Sequence, residues 1–281
     1  MSDQVAVVTD STAYLPRSLA EEHGIRVVPV QVVIGGTTYS EGIDVDPAAV
    51  VAALREWRPV TTSRPTPQAF AETYAEALAA GATSIVSVHL SSKMSGTYES
   101  AAIAAREVGI PVTVIDSGLI GMAMGFATIA AAEAAASGCD ADAVARVARA
   151  RCLSASSLFY VDTLEYLRRG GRIGPATARL GAALAVKPLL QLVDGAIEPL
   201  EKVRTSTRAI ARLEELAVER AGDAEVDIAV QHLNDETRAT ALADHLRKRV
   251  PGIQACIVEE VGAVVGTHVG PGMLGVVISP R

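Results

Sequence analysis

Short apolar runs alternate with helical periodicity through the first half of the chain. Runs at about 4–8 (QVAVV), 25–33 (IRVVPVQVV), 84–90 (SIVSVHL) and 111–115 (PVTVI) read as strands. Apolar residues at helical spacing predict helices over 47–57, 67–80, 97–108, 121–137 and 140–151. Asp46 before Pro47, and Thr66 before Pro67, are cap and first-turn pairs. Continuous apolar strands alternating with helices predict a mostly parallel sheet with helices on both faces.

From about residue 155 the pattern changes. SLFYV and a short helix, DTLEYLRR, lead to the glycine turn GGRIG. LLQLV and EPLEKV flank the turn VDGAI, which is the pattern of a hairpin. Helices at 205–221 and 234–249 alternate with strands near 226–232 and 253–259, and MLGVVIS follows. The expected fold class is therefore α/β in two domains. Residues 1–154 form a mostly parallel sheet domain, and residues 155–281 a mixed-sheet α/β domain.

Composition narrows this picture. The chain has 281 residues, 49% of them hydrophobic and only 4% aromatic, which suits two α/β cores better than a sandwich or repeat array. GLIGMAMGFATIAAAEAAASG carries Glu133 and many small residues, so it reads as a buried or amphipathic helix and no integral membrane segment is expected. MSDQVAVVTD lacks the basic start and long apolar core of a signal peptide, so a cytoplasmic protein is expected. The three cysteines are widely spaced without a C-x-x-C pair, and the five histidines show no metal-ligand spacing. Neither a metal nor a cofactor is indicated. A net charge of −7 argues against nucleic acid as a partner.

The polar residues that follow the strands carry the chemistry. In an open parallel sheet, ligands bind outside the carboxyl ends of the strands. TDST (9–12), SSKMSGT (91–97) and DSG (116–118) stand at such ends, and TTSRPTP (61–67) precedes a helix. Each loop taken singly also serves as a helix cap or turn. The stretch around Ser95 has no glycine at the positions a G-x-S-x-G elbow requires, and Leu90 stands where a Ser-x-x-Lys pair needs serine. No lysine follows a glycine, so there is no Walker A loop. GPGMLG (270–275) matches G-x-G-x-x-G, yet only six residues follow it, too few for a dinucleotide-binding unit. A donor-rich crevice for an anion such as a carboxylate fits these loops better than a nucleophile or a phosphate cradle.

VTDSTAYLP, TTSRPTP, LSSKMSGTYESA, VIDSG, FYVDTLEYLRRGGRIG, KPLL and THVGPGMLG occur in the order seen in the DegV family of bacterial fatty-acid-binding proteins, and the resemblance runs nearly end to end. It implies two domains, with the second closing over a long-chain fatty acid that lies in an apolar tunnel, its carboxylate near the inter-domain crevice. It also implies a non-enzymatic role in phospholipid metabolism, as the binding subunit of fatty acid kinase. A separate ATP-binding subunit phosphorylates the presented carboxylate to an acyl phosphate. Carried over residue by residue, the carboxylate ligands are Thr62 and Ser95, with His268 close by and Arg172 in support; Arg204 matches a position suited to meeting the kinase subunit. The chain departs from the pattern at Lys93 and Met94, where Gly-Leu is common, and at Arg64, where Gln is frequent. Two other classes stay open on the residues alone: a serine-dependent esterase or small-molecule phosphotransferase using Ser95, and a lipid carrier without a kinase partner.

Overall fold

The structure, a computed structural model, describes residues 4–174 and 187–281. They gather into two compact units, one of residues 1–31 and 63–154, the other of residues 32–62 and 155–281. Residues 32–62, placed by sequence in the first half, group with the second unit. The reason lies at Pro29. The run read as one strand over 25–33 is two: β2 (Arg26–Val28) and β3 (Gln31–Ile34). Proline brings no N–H to a ladder, and the following N–H, of Val30, is taken by the Ser11 hydroxyl at 3.0 Å. The chain therefore leaves the first sheet at this point.

The first unit is built on a four-stranded sheet in the order β2-β1-β6-β7, with β1 at Val5–Asp10, β6 at Ser84–His89 and β7 at Val112–Asp116. All three pairings are parallel. Val8 and Ile85 pack against Phe70, Tyr74 and Ala77 of α3 (Pro67–Ala79) and against Ala101 and Ala104 of α4 (Thr97–Ala104). α5 (Met122–Ala136) and α6 (Ala141–Ser154) pack on each other and against the sheet. α5 is buried around most of its circumference through its first half, which explains its apolar composition. Among the described residues no helix is long and apolar enough to cross a membrane. A short helix not evident in the sequence pattern, α1 (Arg17–Glu22), joins β1 to β2.

The second unit has a six-stranded mixed sheet in the order β10-β9-β8-β13-β11-β12, formed by β8 (Ser156–Tyr160), β9 (Lys187–Val193), β10 (Ala196–Val203), β11 (Val226–His232), β12 (Ile253–Glu260) and β13 (Leu274–Pro280). β11 and β12 are parallel; the other pairs are antiparallel. The expected hairpin turns at Asp194 and Gly195, both with positive φ, the conformation a two-residue primed turn requires. α8 (Ser206–Ala221) and α9 (Glu236–Arg249) cover one face, with Leu213, Leu216, Leu242 and Leu246 on Leu158, Ile228, Val230 and Val276.

A three-stranded sheet in the order β4-β3-β5 adds β4 (Thr37–Ser40) and β5 (Val60–Ser63). β3 and β4 meet at Gly35 and Gly36, again both at positive φ. α2 (Pro47–Arg55) is capped by the Asp46 carboxylate, which accepts from the Ala49 N–H at 2.8 Å. Among the described residues, the remaining helices of this unit are α7 (Glu165–Arg169) and α10 (Ala263–Val269), and α10 packs on both α2 and α7.

Candidate functional site

In the first sheet the chain runs from β1 outward to β2 and later returns on the other side through β6. The strand order thus reverses between β1 and β6, and their carboxyl ends are where an open parallel sheet binds ligands. Two predicted loops, TDST and SSKMSGT, stand at these ends. They are held by a buried chain of hydrogen bonds. Tyr74 donates to the Ser87 hydroxyl (2.9 Å), Ser87 meets His89 Nε2 (2.7 Å), and His89 Nδ1 meets Asp10 Oδ2 (3.0 Å). Asp10 also accepts from the Leu90 N–H at 3.1 Å and from the N–H and hydroxyl of Thr12. Asp10, Ser87 and His89 are fully buried, and the edge of the His89 ring meets Phe70. The donors form one consistent chain: with Tyr74 donating to Ser87, Ser87 donates to Nε2 and the Nδ1 N–H donates to Asp10, so every group is satisfied.

This arrangement has the composition of a Ser-His-Asp triad, but no substrate reaches Ser87 inside β6. Its effect is positional: one carboxylate ties the end of β1 to the start of the loop after β6. The third loop is laced to the second. Asp116 accepts from the N–H and hydroxyl of Ser92 and from the Gly118 N–H, while the Ser91 N–H donates to the Leu119 carbonyl. Ser95, half-buried at the end of this scaffold, pairs its hydroxyl with Thr97 at 2.8 Å. α4 then starts at Gly96, with no side chain capping it.

In the second unit the structure brings Thr62 and His268 together, Thr62 Oγ1 lying 2.9 Å from His268 Nε2. Two devices place the histidine. The buried Glu41 carboxylate accepts the Val264 N–H at 2.7 Å, capping the first turn of α10 where Gly262 offers no side chain. At the other end, the ring lies against the turn after α7. Gly171 has φ +69; its N–H bonds the Arg168 carbonyl, and the Arg172 N–H bonds the Leu167 carbonyl. This is a Schellman closure with glycine at the left-handed position. A Cβ on Gly170 would stand 2.1 Å from His268 Nδ1, so only glycine admits the ring.

Nδ1 is buried and has no hydrogen-bond partner among the described residues. Burial, and secondarily the positive charge of Arg172, push the His268 pKa down to about 4. The ring is therefore neutral at ordinary pH, with one nitrogen donating and the other accepting. The Arg172 guanidinium folds back on the Gly170 carbonyl. Beside this turn, Arg169 Cζ lies 5.2 Å from the ring centroid of Trp57, which is 77% exposed and ends α2 at positive φ. Arg204 stands elsewhere, exposed between β10 and the Thr205 cap of α8.

The fold is that of known proteins. A family model described as an uncharacterised protein, DegV family, matches residues 4–281. The chain belongs to the DegV family. A DegV domain-containing protein of Streptomyces coelicolor is 58% identical over 281 residues, covering all of both chains. Among solved structures, a fatty-acid-binding DegV family protein from Thermus thermophilus superimposes with a TM-score of 0.93 at 34% identity, covering 99% of this chain and 100% of that one. DegV of Bacillus subtilis, described as a fatty acid binding protein, gives 0.91 at 36% identity over the whole of both chains.

Sequence reasoning missed the Asp10–His89 contact and Glu41. His89 ends an apolar run, and its partner is 79 residues away. Glu41 follows a strand that the pattern did not mark, although the adjacent Gly35-Gly36 pair between β-branched residues is a hairpin signal.

Proposed function

We propose that this chain binds a long-chain fatty acid and presents its carboxylate to a separate, ATP-binding kinase subunit. The observation that carries the reading is that DegV proteins 34% and 36% identical to it over essentially their full length are fatty-acid-binding proteins. Thr62, Ser95, His268 and Arg172 are the proposed carboxylate contacts, and Arg204 the proposed contact for the kinase subunit. A carboxylate only accepts hydrogen bonds, and hydroxyls, a neutral imidazole N–H and a guanidinium all donate. Arg172 supplies the opposing charge; His268, held neutral, donates through Nε2 to Thr62 Oγ1, which leaves the Thr62 hydroxyl proton for the head group without adding a second charge. Burying about ten methylenes at ~0.8 kcal/mol each gives roughly 8 kcal/mol before ordering costs. Each hydrogen bond to the charged head adds about 1.5–3 kcal/mol. The alkyl chain therefore supplies affinity, and the head contacts supply orientation.

In the proposed reaction a carboxylate oxygen attacks the γ-phosphorus of ATP and the bond to the bridging oxygen of ADP breaks, yielding acyl phosphate and ADP. Phosphoryl transfer depends mainly on positioning and charge stabilisation. This chain's part is to hold the attacking oxygen, the kinase subunit's to hold nucleotide and metal. The reading is tested by incubating the fatty-acid-loaded protein with a fatty acid kinase ATP-binding subunit and ATP, trapping acyl phosphate as the hydroxamate. Ser95→Ala is expected to lower the rate about tenfold, the worth of one charge-assisted hydrogen bond. An unchanged rate would remove Ser95 from the head-group set. No product from the wild-type protein would remove the kinase step and leave fatty-acid binding standing.

A further inference from the structure

Arg64 follows β5 and is exposed, and its guanidinium lies directly on Gly96, the residue after Ser95. A Cβ at position 96 would stand 2.3 Å from Arg64 Nη1 and 2.8 Å from Cδ. Gly96 has φ −77 and ψ 21, a backbone conformation open to any residue, so glycine is not required there by the turn. What it provides is room for the guanidinium. Arginine has five N–H donors and cannot be deprotonated in a protein. Among the described residues no carboxylate, carbonyl or hydroxyl engages those of Arg64: it has no hydrogen bond or ion pair. A permanent cation is thus seated against the Ser95 loop, its donors engaged by none of the described residues, beside the uncapped start of α4. Asp46, Thr66 and Thr205 each cap the helix that follows them; Gly96 caps nothing.

We propose that Arg64 is a specificity-determining residue of the head-group site, selecting lipids with an ionised oxyanion head over neutral lipids of the same chain length. The inference rests on the fatty-acid reading of the Ser95 loop and adds to it the charge class of the ligand. A carboxylate and the phosphate of an acyl phosphate share the required chemistry, so Arg64 favours both substrate and product over an alcohol, amide or ester. Lys93, exposed on the same loop, contributes only to the general field, whereas Arg64 is positioned by its contact with Gly96.

The test compares binding of palmitate, hexadecyl phosphate and hexadecanol to the full-length wild type and to Arg64→Gln, Gly96→Ala and Lys93→Gln, at low and high salt. Arg64→Gln is expected to weaken palmitate about fivefold and hexadecyl phosphate by at least as much, leave hexadecanol unchanged, and flatten the salt dependence of the anions. Gly96→Ala, whose methyl group displaces the guanidinium, is expected to reproduce this loss of discrimination, and the double variant to add nothing further. A drop with only one of the two anions identifies which head Arg64 serves. Equal changes for palmitate and hexadecanol, no change in either, or an equal effect of Lys93→Gln would overturn the proposal while leaving fatty-acid binding intact. A wild-type protein that binds none of the three would overturn both.

Discussion

The loop scaffold of the first unit and the histidine cluster of the second treat their polar atoms in opposite ways. Along Tyr74, Ser87, His89 and Asp10 every side-chain donor and acceptor is paired, in a fully buried environment. Among the described residues His268 is paired on one side only, through Nε2 to Thr62, and its other nitrogen lies against Gly170. A satisfied buried network fixes one geometry, because breaking any link strands its neighbour. A buried nitrogen left unpaired costs folding free energy. Functional sites are where proteins carry such costs. The comparison separates a framework, which holds backbone loops in place, from a buried histidine that is satisfied on one side only among the described residues.

The largest expected effect lies in the framework. Asp10→Ala strands the His89 Nδ1 proton, the Leu90 N–H and both donors of Thr12 at once. A loss of about 3–5 kcal/mol of unfolding free energy is expected, read as a lowered urea midpoint. A loss under about 1 kcal/mol would show that the network does not brace the loops.

Gly170→Ala comes next. Its methyl group cannot coexist with His268 in place, and the overpacking costs about 1–3 kcal/mol. The same variant is expected to weaken fatty-acid binding; normal stability with normal binding would show that the ring is not held where the turn puts it.

The third effect is a pH dependence. The His268 pKa is lowered to about 4 in the folded chain, against an unfolded value near 6.5. The unfolded chain therefore binds more protons between these values, and stability rises with pH across the window. The contribution is complete above about pH 6.5 and is lost as pH falls toward about 4, a change on the order of 2–3 kcal/mol. In His268→Gln this segment of the pH–stability curve is expected to vanish. An unaltered curve would place the titration elsewhere.

The smallest effect belongs to the pair that joins the cluster to β5. Thr62→Val removes one hydrogen bond and is expected to cost about 1 kcal/mol in urea unfolding. A cost as large as that of Asp10→Ala would erase the distinction between framework and cluster.

Much of this was legible in the sequence, for identifiable reasons. The parallel sheet announced itself through apolar strands alternating with helices, and the polar loops at its carboxyl edge through TDST, SSKMSGT and DSG. The hairpin at Asp194-Gly195 followed from its turn chemistry. Residues 32–62 group with the second unit, a change the sequence shows only at Pro29, a single break in the β-branched run IRVVPVQVV where the chain leaves the first sheet. α10 escaped notice because valine and glycine in VGAVVGTHVG have low helix propensity; tertiary packing on α2 and α7, with the Glu41 cap, makes the helix. Thr62 and His268 came from family resemblance alone. They are 206 residues apart, and no local pattern joins them.

Native mass spectrometry of the purified full-length protein, followed by organic extraction and identification of whatever is released, tests the central claim most directly. A fatty acid bound near one per chain is the expected result, and its identity would report chain preference at once. A protein that is empty as purified and takes up no added fatty acid would contradict the claim, and the donors around Ser95 and His268 would then need another anion.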